Sequence, residues 1–232
     1  MPLLTPRRSG LALLVALAAG CHHAPIPGLP LVEMPPARSG APLAVIVSGD
    51  GGWRALDRHV AKGLRQRGYA VVGLNSREYF AKRRSPEEAS LALEQIINHY
   101  SRAWHTTHVV AVGYSRGAGV LPFMINRLPP DVRATISVAA LIGLDRTIDF
   151  YVTPFDLLRT EATSAEVPVR GEVEKLHGIE VLCIFGEHDE HNLCGDLPDS
   201  VVVHVAEPGG HHMNISHDLL AHTIAEYARR HQ

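Results

Sequence analysis

The 232-residue chain has only three cysteines, no internal repeat and no low-complexity tract. It lacks an excess of either charge: 22 Lys and Arg stand against 24 Asp and Glu, for a formal net charge of −2. A near-neutral chain without a basic block has no electrostatic footprint for nucleic acid, so no nucleic-acid partner is expected. Its Gly-rich loop "SGDGGW", residues 48–53, lacks the Lys-Ser/Thr of a P-loop and carries an anion that would repel phosphate. No H-E-x-x-H helix is present either. The histidines of "HHMNISH" and the pair His188 and His191 therefore read as loop residues rather than zinc ligands. No metal and no cofactor is expected.

The first apolar run, "LALLVALAAG" at 11–20, is too short to cross a membrane. Preceded by Arg7 and Arg8 and ending in small residues, it has the three-part layout of a secretory signal, assigned to residues 1–21. Cys21 directly after Ala-Gly resembles a lipoprotein processing site, although Ala18 stands where leucine is more usual. The chain is thus expected in the periplasm, lipid-anchored through Cys21 to a bacterial membrane. Cys183 and Cys194 then remain as a pair for an oxidising compartment, and a disulfide is favoured over two buried thiols. Residues 22–42 are Pro-rich without periodicity and read as a tether ahead of a domain at 43–232.

Within that domain strands alternate with helices. "LAVIVSG" is a continuous apolar run suited to a strand buried on both faces. The helix after it carries Leu56, Val60 and Leu64 on one face and stops at Gly68. "SPEEASLALEQIINHYSRAW" opens with Ser85 as N-cap and Pro86 in the first helical position. Strands in "YAVVGLNS", "HVVAVGYS", "ATISVAALIG", "EVLCIFGEHDE" and "VVVHVAEPGGHH", with a last helix in "ISHDLLAHTIAEYARRH", complete the pattern. Such alternation predicts an α/β fold, a mostly parallel sheet with helices on both faces. Between Gly143 and Gly178, "TPFDLL" and "EVEKLHG" read as short helices, too little chain for a large lid.

The chemistry concentrates at "GYSRG". Gly113, Ser115 and Gly117 form G-x-S-x-G between a strand and a helix, where a nucleophilic serine on a sharp turn needs small neighbours. The alternative is a Gly-flanked serine that caps a helix. A nucleophile needs a base, and the base a carboxylate, in the order Ser, acid, His. Asp189 follows one strand and is favoured over Glu187 and Glu190; His211 follows the next, after two glycines, with His212 as the alternative base. Backbone N–H groups of Asp50 and Arg116 are the expected oxyanion donors. The Asp50 side chain could instead hold a cationic substrate group. Arg77, Arg83 and Arg84 could meet an anionic headgroup or form a solvated basic face.

"SGDGGW", "LNSREYF", "VGYSRGAGVLPFMINRLP", "CIFGEHDEHNLC" and "PGGHH" together resemble the VirJ/AcvB family of bacterial virulence-associated proteins. The resemblance implies an α/β-hydrolase fold, export to the periplasm, and hydrolysis of aminoacylated phosphatidylglycerol, notably the lysyl form, at its ester bond. Carried onto this chain, Ser115 takes the nucleophile position and His211 or His212 that of the base. A membrane phospholipid is the implied substrate, and secretion-system proteins are implied partners. A non-catalytic secretion adapter on the same fold is the alternative function.

Overall fold

The central strands form because their residues are apolar on both sides of the pleat. In the computed structural model, which describes residues 26–152, 166–211, 213 and 217–230, β2 (Leu43–Val47) and β3 (Ala70–Leu74) are buried at every position. The strands β4 (Val109–Tyr114), β5 (Ile136–Ile142) and β8 (Glu180–Gly186) are buried almost throughout. With β1 (Leu31–Met34) and β9 (Val203–Glu207) they make a seven-stranded sheet in the order β1-β3-β2-β4-β5-β8-β9. All neighbours run parallel except β1 against β3. This is the α/β-hydrolase architecture in its small form.

Parallel strands require crossovers, and these supply the covering helices. On one face α1 (Ala55–Gln66) and α7 (His217–Arg229) pack Val60, Leu64, Leu220 and Ile224 onto Ile46, Val71, Val112 and Ile142. On the other, α3 (Pro86–Trp104) and α4 (Arg116–Asn126) bury Leu93, Ile96, Leu121 and Met124 against the opposite side of the same strands. The α3 start is as expected: Ser85 Oγ accepts the Glu88 N–H at 3.1 Å, and the Glu88 carboxylate accepts the Ser85 N–H at 2.8 Å. Buried on nearly every side, α4 is apolar all round, as a helix enclosed by sheet and neighbouring helices must be.

The Pro-rich stretch read as a tether is part of the fold from Ile26 onward. Ile26, Leu29 and Leu31 pack on the core, and Leu31–Met34 pair with Leu74–Val71 as an antiparallel edge strand. The physical reason is tertiary. Four half-buried residues among prolines carry no periodicity, and the free edge of β3 supplies their hydrogen bonds. Short elements fill the remaining connections: α2 (Ser76–Tyr79), α5 (Pro130–Arg133), the pair β6 (Thr147–Ile148) and β7 (Val167–Pro168), and α6 (Arg170–Val173). The helix expected in "EVEKLHG" thus lies earlier, at α6, while "TPFDLL" lies outside the described residues, as do Cys21 and the rest of the segment read as a secretory signal.

Candidate active site

Ser115 occupies the turn between β4 and α4 with φ 50° and ψ −114°. A non-glycine residue there is strained, and such strain survives only where its surroundings enforce it. The enforcing contacts are visible. A Cβ on Gly117 would lie 2.0 Å from the Val47 carbonyl oxygen, and one on Gly113 would lie 2.5 Å from the Gly117 backbone. Only glycines let the turn fold this tightly against β2. The Ser115 N–H donates to the Ile142 oxygen at 2.8 Å, pinning the turn to β5.

Asp189 arrives from the loop after β8 and His211 from the loop after β9. The Ser115 Oγ is 3.1 Å from His211 Nε2, and His211 Nδ1 is 3.0 Å from Asp189 Oδ2. Asp189 is almost shut off from water, its side chain 3 % exposed, whereas His211 is 28 % exposed. The other carboxylate oxygen, Asp189 Oδ1, accepts the His191 N–H at 3.2 Å. The imidazole lies against Gly143, where an added Cβ would stand 3.2 Å from its Cε1. Glu187 and Glu190, the competing acids, are exposed. His212 lies outside the described residues. Among the described residues no three His, Cys, Asp or Glu side chains are grouped to hold a metal ion.

The loop at 48–53 sits against the first turn of α4, since Gly117 also touches the Ser48 carbonyl. It is held in shape by the Gly52 N–H, which donates to the Gly49 oxygen at 3.0 Å, and by Ser48 Oγ, which accepts the Ser76 N–H at 3.0 Å. Asp50 lies on this loop, and Arg116 directly follows Ser115 at the positive end of α4. The Arg116 guanidinium is used elsewhere, donating to the Asp149 and Tyr151 carbonyls. Arg83 pairs with Asp149 and Arg84 with Glu88, so of the three arginines singled out in the sequence only Arg77 makes no ion pair among the described residues.

Asp145 is a site residue that the sequence did not reveal. It lies three residues past β5, bridged to Asn192 of the acid loop, and no hydrogen bond or ion pair to its carboxylate is formed among the described residues. Burial raises its pKa from the ordinary 3.8; His211 and His191 pull it down, while Asp189 and Asp50 push it further up. Tyr114, whose ring tilts against His211, is pushed up to about 12, by burial and by Asp57, Asp50, Asp145 and Asp189. Asp50, Asp57, Asp145 and Asp189 thus act together on a neutral phenol beside His211.

Cys183 on β8 and Cys194 are joined as a disulfide across the loop that presents Asp189. Closing so short a loop removes unfolded-state freedom worth about 3 kcal/mol. The Cys183→Ala/Cys194→Ala variant is expected to lose about that much unfolding free energy in a denaturant titration. An unchanged midpoint would show that the bridge does not form in the protein.

No match to a curated protein was found at the sequence level. Among solved structures, Est1E from Butyrivibrio proteoclasticus superimposes with a TM-score of 0.65 at 14% identity, over 89% of this chain and 96% of its own. The esterase domain of a Rhodothermus marinus protein gives 0.58 at 12% identity, over 86% and 97%. Alpha/beta hydrolase domain-containing protein 10 from mouse gives 0.56 at 11%, over 86% and 93%. At such identities the likeness establishes the fold. The sequence itself goes further: residues 41–232 match the family described as bacterial virulence protein VirJ, and with most of its length covered the chain belongs to the VirJ family.

Proposed function

We propose that the chain is a periplasmic serine hydrolase, anchored through Cys21, that cleaves the aminoacyl ester of phosphatidylglycerol, in particular the lysyl form. The observation that carries the reaction class is the line of contacts from Ser115 Oγ to His211 Nε2 and from His211 Nδ1 to Asp189 Oδ2. Ser115 Oγ attacks the aminoacyl carbonyl as His211 Nε2 takes its proton, and Asp189 holds the ring by accepting from Nδ1–H. The carbonyl oxygen becomes an oxyanion facing the N–H groups of Arg116 and Asp50. Collapse returns the proton from His211 to the glycerol oxygen, releasing phosphatidylglycerol and leaving an aminoacyl-Ser115 ester. Water, deprotonated by His211, then frees the amino acid and restores the serine.

An aminoacyl ester is supported by the acids around His211, and the lysyl form by the family resemblance. An ammonium two bonds from the reacting carbonyl would meet Asp145 and Asp50, neither of which has a cationic partner among the described residues. Incubation with lysyl-phosphatidylglycerol in mixed micelles should release free lysine and intact phosphatidylglycerol. The preference for lysyl over an uncharged acyl ester of the same alcohol should fall about tenfold in Asp145→Asn, as expected for loss of a charged hydrogen bond. If Asp50→Asn leaves that preference unchanged, Asp50 serves only as an oxyanion donor. Release of fatty acid or phosphate in place of lysine would sink the substrate assignment. No turnover of any ester would favour the adapter reading.

A further inference from the structure

Since β1 runs antiparallel, the chain enters the domain at one particular edge of the sheet. Leu31 pairs with Leu74 at the C-terminal end of β3, and the Asn75 N–H donates to the Pro30 oxygen at 3.0 Å. This is the edge that carries Ser115, Asp189 and His211. Cys21 precedes Leu31 by ten positions, and ten residues span at most about 35 Å even fully extended. An anchor at Cys21 therefore keeps the mouth of the site close to the membrane surface.

The same edge is electrically divided. On the side of β2 and β3, beside the point where the chain enters, Arg54, Arg58, Arg77 and Lys82 are all exposed. Arg54 and Arg58 donate to the Gly51 and Trp53 carbonyls and make no ion pair among the described residues, although Arg58 lies in the field of the buried Asp57. Arg77 and Lys82 make no ion pair among the described residues. The β-carbon of Arg77 is 3.3 Å from where Gly52 would carry one, so α2 and the loop before α1 form one continuous bank. Three acids lie within this bank: Glu78 is exposed and its carboxylate accepts from Asn75 Nδ2 at 2.7 Å, Asp50 is half-buried on the loop, and Asp57 is buried beneath it. Across the serine, the ends of β8 and β9 present Glu187, Glu190 and Glu207 instead. A chain of net charge −2 has thus gathered unpaired cations on one bank of its site mouth.

We propose that the bank of Arg54, Arg58, Arg77 and Lys82 docks the domain on an anionic phospholipid surface, with the Ser115 mouth facing the bilayer. The inference rests on the reading of a lipid substrate, but docking is measurable without turnover. Each cation close to an anionic membrane strengthens binding roughly fivefold, and the attraction is screened by salt. The bank would thus orient the domain at the surface, while the acidic bank opposite is repelled and tips away.

The test uses the chain from position 21 onward carrying Cys21→Ser and Ser115→Ala, which removes the signal run, the acyl anchor and the turnover together. Its flotation is measured with phosphatidylcholine vesicles that contain or lack phosphatidylglycerol. Binding should require phosphatidylglycerol and disappear at about 0.5 M salt. Adding Arg77→Gln and Lys82→Gln should weaken it about thirtyfold, whereas Arg38→Gln with Arg102→Gln, the same charge change at the opposite edge, should have little effect. Unchanged thermal unfolding would confirm that both variants fold. Failure to bind phosphatidylglycerol vesicles, or equal weakening by both pairs, would overturn the proposal. Docking without lysine release from the active chain would count against the substrate and leave docking standing.

Discussion

Ser115→Ala should lower kcat for ester hydrolysis about a hundred thousand- to a millionfold, with covalent labelling by a fluorophosphonate abolished. The size follows from what the hydroxyl does. Without Oγ there is no acyl-enzyme route, and only oxyanion stabilisation and binding remain to assist direct attack by water. The variant should still fold, since alanine tolerates the 115 backbone no worse than serine. Ser115→Gly makes a sharper test. It should be equally inactive yet about 1 kcal/mol more stable, because glycine relieves the strain at φ 50°. Greater stability with lost activity would identify a residue held in strain for its chemistry. Labelling that persists in Ser115→Ala would place the nucleophile elsewhere, and an unlabelled but folded parent chain would move the weight to a binding role.

How far the sequence discloses this arrangement depends on where each signal resides. The strands β2, β3, β4, β5 and β8 were legible because burial on both faces demands continuous apolar runs, and the Ser85-Pro86 start of α3 because capping is local chemistry. β1 was not, since its stability comes from the open edge of β3 and its four residues show no pattern of their own. The β6–β7 pair joins Thr147–Ile148 to Val167–Pro168, a contact that no local window contains. The site divides in the same way. Ser115 announces itself by its flanking glycines, and Asp189 and His211 by following the right strands. Asp145 looks in the sequence like any turn acid. Only the seating of His211 over Gly143, and the bridge to Asn192, bring it into the site.

Replacing each acid in turn should separate their roles, with Asp189→Asn lowering kcat about ten thousandfold. The asparagine keeps the shape but can present an N–H to His211 Nδ1, which favours the tautomer whose Nε2 carries the proton and cannot take one from Ser115. Asp145 has no hydrogen bond to the imidazole, so Asp145→Asn should change activity far less, and chiefly towards cationic acyl groups. Stability should distinguish the two as well. Burial raises the Asp145 pKa above 3.8 in the folded chain, so its ionisation opposes folding. That loss is absent below pH 3.8, grows as pH rises through the folded-state value, and is complete above it. Asp145→Asn should therefore be more stable than the parent at neutral pH, with the gain vanishing in acid, as urea titrations across pH would show. Asp189→Asn should bring no such gain, because its carboxylate already accepts hydrogen bonds from His191 and His211. A half-buried carboxylate at Asp145, in the field of His211 and Asp189, would suit the cationic substrate proposed above. If Asp145→Asn proved destabilising at neutral pH, Asp145 would instead be a structural acid and the basis for cation selection would have to be sought at Asp50.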